Sequence, residues 1–266
     1  MTTNRRAKAM ALLAIVAGLL AATASVVRAE LTASGNLFIT FDGGIEPEAL
    51  PRDEPAPITV WIAGQVRTLS GEKPPSLREI TIGLNRDGRL ETRGLPTCNR
   101  NKIDLASSEE ALDLCGDALV GTGTYRARTT FPEQSQSPSY GKLLAFNAKV
   151  GGRSVILGHV YGDDPAPAGD IIVFDISHPK GTFGTVLKGT LPESLTRWGY
   201  LKRISLRLHR NYTYRGRHRS YLSAPCRAPR DLAKASFKFA YTSMTFDDGR
   251  TLSATLTRTC RVKGAP

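Results

Sequence analysis

Apolar and polar residues alternate along most of this 266-residue chain. Over residues 201–214, Ile204, Leu206, Leu208, Tyr212 and Tyr214 share one parity, while Arg203, Ser205, Arg207, His209, Asn211 and Thr213 share the other. Side chains of a strand point alternately to opposite faces, so this spacing predicts a half-buried β-strand. Lys202 and Arg210 break the apolar parity. Tyr214-Arg215-Gly216-Arg217 reads as a turn with Gly216 at positive φ. The chain then returns through Tyr221-Leu222-Ser223 to Cys226.

The same pattern recurs on both sides. Strands are predicted over residues 36–41, 58–69, 78–85, 118–131, 171–176 and 182–191. Residues 141–162 read as a hairpin turning at Gly151-Gly152, and residues 235–246 and 251–259 as a second one turning at Asp247-Asp248-Gly249-Arg250. Residues 45–57 hold four prolines and four acids and read as an extended linker. One helix is predicted. Ser107 and Glu110 have capping-box spacing, Ala111, Leu112, Leu114 and Cys115 follow, and Gly116 supplies the stop. About a dozen strands, with turn residues at intervals of about ten, predict an all-β fold. The expected form is an antiparallel two-sheet sandwich with one short disulfide-stapled helix. Two tandem β-domains, divided near residue 140 or 195, are the architectural alternative.

The N-terminus changes this picture. Arg5, Arg6 and Lys8 precede an apolar segment over 9–27, and Val27-Arg28-Ala29 suits a signal peptidase, so residues 1–29 read as a cleaved secretory signal. The alternative is an uncleaved membrane anchor. Residues 30–57 would then be an N-terminal strand with a Pro-rich linker, and 58–266 the sandwich domain. All four cysteines lie in the exported part, which points to disulfides. Of three pairings, Cys98–Cys115 and Cys226–Cys260 are favoured, because each couple flanks a compact local unit. A metal site is the weaker reading, since no CxxC and no Cys/His cluster exists. Neither a metal nor a cofactor is expected.

Charge singles out one stretch. The chain carries +12, yet residues 194–230 hold ten Lys/Arg and no acid, and the first 29 residues hold four more; without these fourteen the balance is −2. The candidate binding residues are therefore Arg203, Arg207, Arg215, Arg217 and Arg219, with Tyr212 and Tyr214 as stacking partners. Alternate residues on a strand lie roughly 6.6 Å apart, which puts Arg203 and Arg207 about 13 Å apart. Arginine forks grip carboxylate and phosphate. The plainer readings are a solvated face with Arg stems covering the core edge, or edge-strand charge that blocks aggregation.

Catalytic motifs are scarce. There is no Gly-x-Ser-x-Gly elbow, and His159, His178, His209 and His218 have no metal spacing. Asp163-Asp164 and Asp247-Asp248 sit in turns, where adjacent acids serve the turn itself. Residues 116–122 have glycines at phosphate-loop spacing but lack the lysine. No catalytic residue is assigned.

Several strings are distinctive: LPTC at 95–98, ALDLCGDALVGTGTY at 111–125, GKLLAFNA at 141–148, HVYGDDPAP at 159–167, GTFGTVLKGTLP at 181–192, YRGRHRSYLSAPC at 214–226 and DDGRTLSATLTRTC at 247–260. Together they resemble a family of uncharacterised secreted proteins of high-GC actinobacteria. The resemblance covers most of the mature chain, implies export and an all-β fold, and implies no activity. The resulting expectation is an exported, non-catalytic binding or structural protein of the cell envelope or extracellular space. Its expected partner is an anionic envelope polysaccharide rather than nucleic acid, with no stable membrane span after signal cleavage. The alternative is a secreted glycan-active hydrolase whose carboxylates form no visible motif.

Overall fold

The computed structural model describes residues 29–130, 135–163, 166–197 and 199–265. The predicted leader, apart from Ala29, and Asp164 lie outside them. The chain is mostly β. Strands β1 (Glu30–Ser34) and β2 (Leu37–Glu46) form a hairpin, followed by short strands β3 (Ala49–Leu50) and β4 (Ala56–Pro57). Next come β5 (Thr59–Thr68), β6 (Leu77–Asn85) and the short β7 (Arg89–Leu90). Helices α1 (Arg100–Ile103) and α2 (Ser108–Cys115) precede β8 (Leu119–Thr129), β9 (Ser137–Val150), β10 (Arg153–Gly162), β11 (Ala168–Ser177) and β12 (Phe183–Thr190). Helix α3 (Glu193–Arg197) leads into β13 (Gly199–Leu208). Small strands β14 (Asn211–Tyr214), β15 (Arg217–Ser220) and β16 (Leu222–Ala224) follow, and then the long hairpin β17 (Lys234–Phe246) and β18 (Thr251–Val262).

Thirteen strands belong to one sheet, ordered β1-β2-β5-β13-β8-β9-β10-β11-β12-β6-β17-β18-β3. The expected pair of facing sheets is replaced by one sheet that curls until its first hairpin meets β18. Side chains stitch this seam. Thr32 Oγ1 donates to the Ser253 carbonyl (2.9 Å), Arg250 Nη1 to the Ser34 carbonyl (3.0 Å) and Arg258 Nε to the Gly43 carbonyl (2.6 Å). Alternation requires only that one face of each strand be covered, and a curled sheet meets that condition as well as two stacked ones do. Turn residues determine hairpins, but not which distant strands become neighbours, such as β5 with β13 or β6 with β12 and β17.

Two apolar clusters hold the fold. The larger lines the inside of the curl with residues such as Leu37, Ile39, Phe41, Met244, Leu252 and Leu256. The second lies outside it, where α1 and α2 cover β9, β10 and β11 with Ile103 and Ala111 against Phe146, Leu157 and Ile171. This explains why residues 143–148 of β9 are buried without alternation: both faces are covered. Disulfides join Cys98 to Cys115 at this cover and Cys226 to Cys260 at the end of β18. The capping box of α2 forms, with Ser107 N–H donating to Glu110 Oε2 (2.7 Å) and Glu110 N–H to Ser107 Oγ (3.2 Å). In place of one helix the described residues hold three α-helices, because the four and five residues of α1 and α3 are too few for a readable period. Helix α3 closes the end of the curl where β13 starts. The small sheet β4-β16-β7 and the hairpin β14-β15 follow the end where β13 stops. Among the described residues no helix is long and apolar enough to cross a membrane.

Candidate ligand-binding surface

The basic stretch does not form one continuous strand. Lys202 is bulged out of β13, which accounts for its break in parity. Pairing with β8 ends as His209 N–H donates to the Val120 carbonyl (2.8 Å); beyond it the chain leaves the main sheet, and Tyr221 N–H donates back to the Arg210 carbonyl (2.7 Å). The separate hairpin β14-β15 turns at Arg215 and Gly216, with φ of 52° and 72°. Both central residues at positive φ is the type I′ geometry of tight hairpins.

The seven candidate residues therefore divide into two sets. Arg203 and Arg207 lie on the outer face of β13; Tyr212, Tyr214, Arg215, Arg217 and Arg219 lie on the small hairpin. Most of the hairpin set is engaged within the protein. Arg219 pairs with Glu91 (3.2 Å), and the guanidiniums of Arg215 and Arg219 lie 5.3 and 5.9 Å from the centre of the Tyr214 ring. That ring rests on Gly94, at φ +82°, where a Cβ would come within 2.3 Å of it. Tyr212 Oη donates to the Arg93 carbonyl (3.0 Å), and burial pushes its phenol up from the usual value. Arg207 pairs with Glu46. Arg217 is exposed.

Arg203 has a different setting. In the sheet register it stands directly opposite Arg126 of β8, which in turn stands opposite Tyr140 of β9. Residues facing one another across a ladder point to the same side, so both guanidiniums share the outer face. Arg128, Lys142 and Lys202 border the same groove, a space of about 1040 Å³ over β13, β8 and β9. None of these five cations makes an ion pair with a described residue. Glu109 and Asp163 also line the groove, leaving cations in excess by three. Tyr140 is exposed and adds an aromatic face. Arg126, Arg128 and Lys142 were not singled out in the sequence. Arg126 and Arg128 follow strand alternation in β8, but their meeting with Arg203 depends on the long-range pairing of β8 with β13.

The inner side of the same wall is apolar. A cavity of about 130 Å³ lies inside the curl, bordered by Ile62, Ala145, Ile156, Phe174, Ile204 and Leu206 among others. Tyr125 and Ala127 of β8 border both this cavity and the groove.

Asp247, Asp248, His159 and His178 have partners within the protein. Asp247 accepts from the Ser76 N–H (3.0 Å), and Asp248 binds Arg250 (2.6 Å), which holds its carboxyl below the usual range. His159 is fully buried, with Nε2 2.9 Å from the Ala106 carbonyl, and burial lowers its pKa. His178 Nδ1 lies 3.2 Å from the Gly184 carbonyl. Among the described residues no three His, Cys, Asp or Glu side chains gather as a metal site would require. No protein-family model, curated protein or solved structure matches this chain.

Proposed function

We propose that this is an exported, non-catalytic binding protein of the cell envelope or extracellular space, and that it holds an anionic polymer across the outer face of β13, β8 and β9. The observation that carries the reading is the placement of Arg126 directly opposite Arg203. Like charges facing each other across a ladder cost stability. No described carboxylate pairs with either one. A polymer bearing carboxylates or phosphates offsets this repulsion, and each guanidinium can grip one anion with two parallel hydrogen bonds. The basic hairpin is a lesser contributor, because Arg219 already spends its charge on Glu91. Acidic polysaccharide fits an exported protein better than nucleic acid does.

Polygalacturonate immobilised on a sensor surface tests this, with uncharged pullulan as the control. Each charged hydrogen bond contributes about 1.5–3 kcal/mol, so the pair Arg126→Ala/Arg203→Ala should weaken binding at least about tenfold. Arg215→Ala/Arg217→Ala should change it less than about twofold. Binding should also weaken steeply between about 0.05 and about 0.5 M salt. Unchanged affinity in the Arg126/Arg203 variant overturns the reading. Depolymerisation of the polymer by the parent protein would replace it with the hydrolase reading, with Glu109 and Asp163 as the first acids to substitute.

A further inference from the structure

The cavity inside the curl lies on the opposite face of this wall from the cationic groove and points to a second ligand. We infer that it is a binding site for an uncharged apolar group about the size of a benzene ring, supplied either as a small free molecule or as the end of a hydrocarbon chain. Its size and lining motivate this: about 130 Å³ with an almost wholly apolar boundary. An apolar cavity of about 150 Å³ in another protein stays dry and takes benzene or xenon.

The space comes from residue choice on one wall. Five consecutive neighbours in the sheet each present a small residue at the boundary: Gly64 of β5, Gly199 of β13, Ala127 of β8, Ala145 of β9 and Gly158 of β10. Large side chains such as Phe41, Ile82, Leu187 and Met244 form the rest of the boundary. Gly64 is informative because nothing forces it to be glycine. The nearest atoms to a Cβ there would be in the Ile204 and Met244 side chains at 3.5 Å, followed by the Thr40 carbonyl oxygen at 3.8 Å, which are ordinary contacts. Elsewhere on the same strand Val60 and Val66 are buried in the core. A larger residue at Gly64 would fill the space, yet the chain leaves it open.

The end of the cavity nearest the start of β13 is closed by α3. Leu195 and Thr196 border the space. The helix is held by the Ser76 hydroxyl donating to the Thr196 carbonyl (3.1 Å) and by Ser194 Oγ donating to Asp170. Helix α3 is not a member of the sheet and can move without opening it, so it is the natural route of entry.

Benzene and dodecanoate are the probes, read by the thermal midpoint of the full chain and by calorimetry. Saturable stabilisation by benzene is expected, since a ligand that binds only the folded state raises its stability. Benzene alone marks a small free ligand; dodecanoate binding in competition with benzene marks a chain end. Ala145→Leu should abolish binding of both probes. Gly64→Val provides the same block should Ala145→Leu fail to fold. Leu195→Ala enlarges the space and should admit naphthalene, which the parent excludes. The inference is overturned if neither probe stabilises the parent, or if a folded blocking variant binds them as the parent does. Neither result bears on polymer binding at Arg126 and Arg203.

Discussion

At the scale of single residues, His159 couples the outer helical cover to the sheet. It lies on β10, fully buried, with Nε2 2.9 Å from the Ala106 carbonyl just before α2. The neutral ring donates Nε2–H there, and Nδ1 has no partner among the described residues. Burial lowers its pKa in the folded state below the ordinary 6.5. As pH falls through about 6.5 the unfolded chain takes up a proton that the folded chain refuses, so stability is full above that value and is lost below it. The slope is at most about 1.4 kcal/mol per pH unit for one such group. Urea unfolding at pH 7, 6 and 5 should show this loss, and His159→Gln, which retains an N–H donor, should flatten it. An unchanged slope in that variant would mean that some other group causes the acid loss. The window lies above ordinary carboxylate titration, which separates the two effects.

At the scale of elements, the seam between β2 and β18 decides whether the curl holds. No ladder joins these strands; Arg258 does much of the joining. It donates to the Gly43 carbonyl and pairs with Asp42 at 2.6 Å, with both side chains largely withdrawn from solvent. Hydrogen bonds to charged groups are worth about 1.5–3 kcal/mol, so Arg258→Ala should destabilise the protein by about 2 kcal/mol in urea unfolding. A loss under about 0.5 kcal/mol, the usual size for a surface change, would show that apolar packing alone closes the seam. Local features of these elements were legible in the sequence. Gly151-Gly152, Arg215-Gly216 and Gly249 all sit at turns with positive φ, and the Ser107–Glu110 box caps α2. The closure was not legible, because Arg258 and Asp42 are 216 residues apart and nothing local links them. The candidate site divided for the same reason. Arg203 was visible from alternation, whereas Arg126 joined it only through the pairing of β8 with β13.

At the scale of the whole molecule, the two disulfides do different work. Cys226–Cys260 closes 34 residues and ties the segment after β16 to the end of β18, so it fastens the last hairpin to the end of the curl below β13. Cys98–Cys115 closes 17 residues and holds α1 and α2 over β9, β10 and β11, outside the curl. By loop entropy they contribute about 4 and about 3 kcal/mol. The difference in size is small, but the difference in consequence should be large. Replacing Cys98 and Cys115 by Ala should loosen the cover and uncover Leu144, Phe146 and Leu157, residues that the outer cluster buries. Binding of a hydrophobic dye should rise while the β circular-dichroism signal and the cavity inside the curl persist. Replacing Cys226 and Cys260 by Ala should instead lower the stability of the whole sheet in one cooperative step. If the first variant unfolds together with the sheet, the cover and the curl are a single cooperative unit.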